Sequence, residues 1–289
     1  HLQVGDMDKL TEAAVAAPPL EGSLLGEELV LSADGTRAVV VTEHADGSSV
    51  VAVFDTTSSE WWEPLVVPYQ SVNTALNADG SRLAVAGGPE GGTLVYEVGP
   101  APMPELIGEV VGVPRPDDSF TFYTAAAAFL PSGELVIGYE APQAKVVDAS
   151  SLDELATLEV PAFSFNRSLA VVDDGHWLLG VGSLDVGNVS LFDMVESRVQ
   201  WALGIDDLGV TGCAQQAADV ARGRLYCADY FGKVVVRDLL TGGRRGDELV
   251  SQVGRVGKLD VSPDGSTLAV FGADQPLIAR WRIDGAGPL

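Results

Sequence analysis

The residues of this chain best suited to chemistry are aromatic side chains and a few scarce cations, gathered in loops. The segment 112–124, GVPRPDDSFTFYT, carries Arg115, Asp117, Asp118, Phe120, Phe122 and Tyr123 on a backbone stiffened by proline. Tyr69, Phe163, Phe165, Tyr230 and Phe231 stand in comparable segments elsewhere. A stiff aromatic side chain buries a large area when it meets a partner, so such residues suit a surface that grips a peptide or small ligand. The competing expectation is that they wedge between packed sheets, and alternation supports this more for Phe165 than for Phe120 or Tyr123. Arg167, Arg255 and Lys258 are cations able to hold a carboxylate or phosphate. They could equally pair with the nearby acids Asp117, Asp118, Asp206 or Asp207.

Catalysis has less to stand on. Beyond His1 the histidines are His44 and His176, which the repeat alignment below puts at opposite ends of the strands, so no triad or histidine metal site converges. Calcium held by carboxylates would suit the charge balance, but Asp117-Asp118 and Asp206-Asp207 are isolated pairs, not a calcium loop. No metal and no cofactor is expected.

These residues must be positioned by a repeated sheet. The stretch 258–285 reads as three alternating runs joined by tight turns, an antiparallel meander. Turn anchors recur at Asp34-Gly35, Asp79-Gly80, Ser132-Gly133, Asp174-Gly175, Arg222-Gly223 and Asp264-Gly265, each glycine supplying a positive φ. A second anchor ends the third run of each unit: Phe54-Asp55, Tyr96-Glu97, Val147-Asp148, Phe192-Asp193, Arg237-Asp238 and Ile283-Asp284. Only Arg237 breaks the apolar-acid pattern. The spacing of roughly 42 to 53 residues is that of a propeller blade.

A fourth run follows each acidic anchor at 65–67, 106–111, 156–160, 199–203 and 248–250, while the last unit lacks one. The fold class is therefore all-β: a β-propeller of six four-stranded blades, or seven if further residues belong to it. Leu10–Val15 would supply the missing strand of the last blade and close the ring. The expected layout is a remnant or linker over 1–9, one propeller domain over 10–285 and a tail over 286–289. In such a fold, connections from the fourth strand to the next first strand share one rim with those from second to third strand. The candidate residues fall on that rim. Predicted first-strand starts offer Ser71, Thr124, Ser168, Gln215 and Lys258, a poor set of ligands for a hard cation.

The segments LSADGTRAVVV, LNADGSRLAVAGG and VSPDGSTLAVFG resemble the first hairpin of WD-repeat and related bacterial β-propellers. The resemblance spans roughly residues 20 to 285 and implies a recognition platform rather than a particular activity. No unit has a Gly-His pair ahead of its first strand and none ends in Trp-Asp, so the buried His–Asp network of that family is not expected. The ending RWRIDGAGPL resembles segments between or after propellers in large bacterial regulatory proteins.

Composition narrows the partners. With 41 acidic and 17 basic residues the formal charge is −24, which repels phosphate backbones and excludes nucleic acid as an expected partner. No apolar run is long enough for a membrane span. Arginine outnumbers lysine about three to one, a bias that fits a GC-rich bacterial genome. His1 precedes the first methionine, Met7, so the opening residues read as a remnant, the chain as a piece of a longer protein, or a processed export signal as having been removed. Cys213 and Cys227 are expected as two buried thiols, because the preferred hairpin register does not set them opposite each other. The expected compartment is the cytoplasm, with export or the cell surface as the alternative. Trp61-Trp62 should point one indole inward and one outward, the outward one marking a contact with another domain.

Two functional readings follow. The first is a non-enzymatic recognition or sensor domain that binds a protein, peptide or small ligand on its rim within a larger bacterial signalling protein. The alternative is a metal-dependent propeller hydrolase or lactonase using rim carboxylates.

Overall fold

A computed structural model describes residues 26–43, 46–69, 72–87, 92–99, 103–112, 125–139, 141–160, 168–182, 189–208, 212–229, 231–246, 248–251, 253–254, 256–262, 264–272 and 278–283. They form six antiparallel sheets, and the fold is an all-β, six-bladed β-propeller.

The first sheet joins β1 (Gly26–Leu31), β2 (Arg37–Glu43), β3 (Ser49–Asp55), β4 (Glu60–Trp61) and β5 (Leu65–Val67). The second holds β6 (Asn73–Leu76), β7 (Arg82–Ala86), β8 (Thr93–Glu97) and β9 (Glu105–Val110); the third holds β10 (Ala126–Phe129), β11 (Leu135–Gly138), β12 (Gln143–Val147) and β13 (Glu154–Glu159). The fourth sheet is β14 (Ser168–Val172), β15 (Trp177–Val181), β16 (Val189–Asp193) and β17 (Arg198–Leu203), after which comes a single helical turn, α1 (Ile205–Leu208). The fifth is β18 (Gln215–Asp219), β19 (Arg224–Ala228), β20 (Lys233–Asp238) and β21 (Leu249–Val250), and the sixth is β22 (Val256–Val261), β23 (Thr267–Gly272) and β24 (Ile278–Arg282). Every sheet is a meander in chain order. The six-blade count agrees with the repeat, and the sixth sheet has three strands among the described residues. The strand expected at Leu10–Val15 lies outside them.

All six turn glycines have positive φ, from 60° at Gly223 to 104° at Gly133. In three turns the aspartate before the glycine locks the loop. Asp34 accepts hydrogen bonds from the Ser32 hydroxyl and from Thr36, Asp264 does the same with Ser262 and Ser266, and Asp79 accepts from the Ser81 amide. Most of the acidic anchors do comparable work at the next turn. Asp55, Asp148, Asp193 and Asp238 each accept two backbone amides from the residues two and three positions on. That is an Asx-type brace, and it explains why an acid recurs at the end of the third strand.

The first sheet departs from four strands because its outer strand is cut in two. β4 pairs with the C-terminal end of β3 and β5 with its N-terminal end, and Pro64, which has no N–H to donate, lies between them. Trp62 at the break is buried and packs into the core of the first two sheets, with the Arg37 guanidinium 5.1 Å from its ring centroid. Trp61 is half-buried, its ring 4.9 Å from that of Phe54.

The chain divides into two compact units, with the division running through the third sheet. In the first unit, Val39, Val51, Val53, Leu83 and Val85 build a core between the first and second sheets, from alternate positions of their strands. In the second unit, Leu179, Leu191, Leu225 and Val235 fill the space between the fourth and fifth sheets, and Tyr226, Leu259, Leu268 and Trp281 that between the fifth and sixth. Side chains also bridge sheets within each unit: Asn73 donates to the Ala125 carbonyl, and Gln216 to the Leu179 carbonyl.

The expectation of two buried thiols is overturned. Cys213 and Cys227 are both buried and joined as a disulfide, with Cα atoms 5.4 Å apart. The hairpin register pairs Cys227 with Gln216, so the two cysteines are not opposite each other in the ladder, as the sequence suggested. Cys213, however, precedes β18, and the hydrogen bond from the Ala214 amide to the Ala228 carbonyl brings the chain back within disulfide reach.

Candidate loop-end binding site

Each meander has two ends. At one lie the short turns between first and second strands; at the other lie the turns between second and third strands and the connections to the next sheet. The turn end follows one pattern in several blades. The loop end does not. Its connections run from the short 68–72 and 251–255 to 111–125, much the longest, and 204–214, which contains α1.

Among the sequence-predicted site residues, Tyr69, Phe231 and Lys258 are described. Arg115, Asp117, Asp118, Phe120, Tyr123, Arg167, Tyr230 and Arg255 lie outside the described residues. Tyr69 is half-buried against the core of the first two sheets. Burial pushes its phenol up, reinforced by the Glu109 carboxylate, to which the hydroxyl is hydrogen-bonded. Its ring packs against that core. Lys258 is exposed on β22, across from Phe271.

Phe231 is the opposite of Tyr69. It is 75% exposed, at the tip of the turn between β19 and β20. That turn is short, and Asp229 braces it. The Asp229 amide donates to the Lys233 carbonyl, and the buried Asp229 carboxylate accepts the amides of Phe231 and Lys233 at 2.8 and 2.9 Å. Gly232 completes the loop at φ +90°, and a Cβ there would stand 2.6 Å from the Ser251 hydroxyl and 3.1 Å from its carbonyl. Only glycine fits. The Ser251 amide donates back to the Gly232 carbonyl, tying the turn to the chain after β21.

The sequence did not single out two other buried groups. Tyr139 is buried with its phenol pushed up by burial, and its hydroxyl has no hydrogen-bond partner among the described residues. Arg237, the exception to the apolar-acid rule, is also buried. It donates to the carbonyls of Gly242 and Asp207, and so ties α1 to the fifth sheet. Burial lowers its pKa, and the nearby Arg244 guanidinium lowers it further. The broken pattern at this position was the available signal. The side chains of Asp206 and Asp207 are exposed on α1.

Among the described residues no group of three or more His, Cys, Asp or Glu side chains could hold a metal ion. His176 lies at the turn end, stacked on Trp177 with ring centroids 4.4 Å apart. Its Nε2 is 3.6 Å from Asp193 and its Nδ1 is 3.7 Å from Asp173. His44 lies outside the described residues. No helix among the described residues is long and apolar enough to cross a membrane.

Fold and loop ends together define a member of the β-propeller class. Many solved structures share this fold, with 1585 chains matching, so the match points to no single relative. One is a chain in the crystal structure of the Mitotic Checkpoint Complex, similar with a TM-score of 0.66 over 88% of this chain and 75% of that one. At 16% identity the likeness shows the fold alone. No protein-family model matches the sequence, and no curated protein does.

Proposed function

We propose that the chain is a non-enzymatic recognition or sensor β-propeller. In this reading it is a WD-repeat-like domain over 10–285 of a larger bacterial signalling or regulatory protein, and it binds a protein, peptide or small ligand at its loop ends. The observation that carries the reading is the contrast between the two ends. A recurring turn at one end maintains the scaffold, while loops of differing length and chemistry at the other are free to specify a ligand. Phe231 supplies an exposed aromatic. The proposed binding residues are Arg115, Asp117, Asp118, Phe120, Tyr123, Tyr69, Arg167, Tyr230, Phe231, Arg255 and Lys258. The charge of −24 favours partners of low or positive charge. The Cys213–Cys227 disulfide favours an exported or cell-surface setting over the cytoplasmic one.

Two measurements test this. Thermal melting in chelator and in added Ca²⁺ should coincide, whereas a calcium-dependent rise, roughly 2.7 kcal/mol at a hundredfold excess over Kd, would favour the metal-dependent hydrolase. A photo-crosslinking side chain at position 120, introduced in cells of the source organism, should capture a discrete partner. If no adduct forms at 120 or at other loop-end positions, and no small metabolite shifts the melt, the recognition reading fails.

A further inference from the structure

Asp-Gly occurs six times in the chain, and five of these pairs are among the described residues. The dipeptide has a chemistry of its own. Glycine has no side chain to shield its amide, so that nitrogen can attack the aspartate Cγ and close a five-membered succinimide ring. A fold opposes this by holding the carboxylate in hydrogen bonds and by engaging the glycine amide. Four of the five pairs are held. Asp34, Asp46, Asp79 and Asp264 each accept the amide of the residue two positions on, at 2.9 to 3.0 Å. Asp34 and Asp264 accept two hydroxyls each as well. The amides of Gly35, Gly80 and Gly265 donate to the carbonyls of Ser32, Asn77 and Ser262.

The turn between β14 and β15 is built differently. Its closing bond comes one residue later, from the His176 amide to the Asp173 carbonyl. Asp173 and Asp174 both hold a left-handed φ, 53° and 49°, ahead of Gly175 at 90°. That region is costly for a residue with a side chain, and two in succession strain the turn. Asp174 is exposed. Among the described residues, neither its carboxylate nor the Gly175 amide has a hydrogen-bond partner.

We infer that Asp174-Gly175 is a modification site, where the turn rearranges without an enzyme to an isoaspartyl linkage while the braced Asp-Gly pairs stay intact. The Gly175 nitrogen bonds to Cγ of Asp174, the Cγ–OH bond breaks, and the hydroxyl leaves as water with the amide proton. Water then reopens the ring. Opening at Cγ restores aspartate. Opening at the backbone carbonyl carbon of Asp174 leaves the main chain running through Cγ, one methylene longer, with a free carboxylate where the backbone carbonyl stood. Nothing is oxidised or reduced, and water is the only co-reactant. The added methylene falls between Asp173 and His176, so it alters the bond that closes the turn and the placement of His176 beside Asp193.

The test ages the purified full chain at neutral pH, native and in guanidinium chloride, then digests it and quantifies isoaspartyl peptides at each Asp-Gly pair. A braced carboxylate must first give up its charge-assisted hydrogen bonds, so native protein should form isoaspartate at 174 about tenfold faster than at 34, 79 and 264. In denaturant the sites should draw level. Ser262→Ala combined with Ser266→Ala removes both hydroxyls from Asp264, and should speed rearrangement at 264 while leaving 174 unchanged. Equal native rates at 174 and the braced pairs would overturn the inference. So would the same ranking in denaturant, no isoaspartate at 174 when the unfolded chain forms it, or a double variant as slow at 264 as wild type.

Discussion

Ser197 and Gly242 occupy the same place in successive blades, four residues after Asp193 and Asp238, and both hold a positive φ, 50° and 68°. Ser59 and Leu152 repeat the geometry after Asp55 and Asp148. The left-handed conformation costs a side-chain-bearing residue about 1–2 kcal/mol, part of which glycine returns through its greater freedom when unfolded. Ser197→Gly should therefore stabilise the protein by about 0.5–1 kcal/mol, read from the denaturant midpoint. Leu152 is different, because its side chain fills the space over Gly108. Gly242→Ala should destabilise, since a Cβ would stand 3.1 Å from the Trp201 ring, and a neutral result would refute the account of both sites.

Arg237 offers a second test. Removing its guanidinium leaves the carbonyls of Asp207 and Gly242 without their buried donor and opens a void beneath α1. Arg237→Ala should cost about 2–4 kcal/mol. Hydrogen exchange should show faster opening at 205–208, while the first sheet is unaffected. Uniform change across the chain would show that Arg237 is not a local latch.

The disulfide makes a chemical prediction. Denatured, unreduced protein should show no thiol that reacts with a thiol reagent, and reduction should release two. With the cysteines 14 positions apart in the sequence, reduction or the Cys213→Ala, Cys227→Ala double variant should cost about 3 kcal/mol. Two reactive thiols in freshly purified protein would refute the bridge.

The turn aspartates set the response to acid. Hydrogen bonds, first from the Ser262 hydroxyl and then from Ser266, hold Asp264 down to about 2 from its ordinary 3.8. Asp34 and Asp79 are lowered in the same way by Ser32 and Ser81. A carboxylate depressed in the folded state binds its proton more readily when unfolded, so its stabilisation is complete above 3.8 and fades as pH falls toward about 2. Melting temperature should drop through that window, and Asp264→Asn should flatten part of the drop. A flat profile in the wild type would contradict these turns.

Much of the scaffold was legible because its signals are local and repeated. A glycine at positive φ and an acid that caps the next turn depend on a handful of neighbours, so their period could be read directly. Arg237 was visible only as an irregularity, since one of its partner carbonyls, Asp207, is 30 positions away in sequence. The Cys213–Cys227 bridge was hidden for a related reason: it depends on how the chain enters β18, and strand register says nothing of that. At the loop end, Tyr69 and Phe231 look alike as letters. What separates a packed ring from an exposed one is the core beneath Tyr69 and the Asp229-braced turn under Phe231, neither of which composition records.

The break at Pro64 bears on how this protein stays dispersed. An uninterrupted outer strand presents a row of unpaired amides and carbonyls on which another polypeptide could add as a further strand. In the first sheet that row is split between β4 and β5, so an incoming chain would meet two short, discontinuous stretches. Two of the longer outer strands, β9 and β13, instead carry Glu105, Glu109, Glu154 and Glu159, whose like charges would confront those of an approaching copy. Kinked backbone in one blade and carboxylates in two others thus discourage runaway polymerisation by different physical routes.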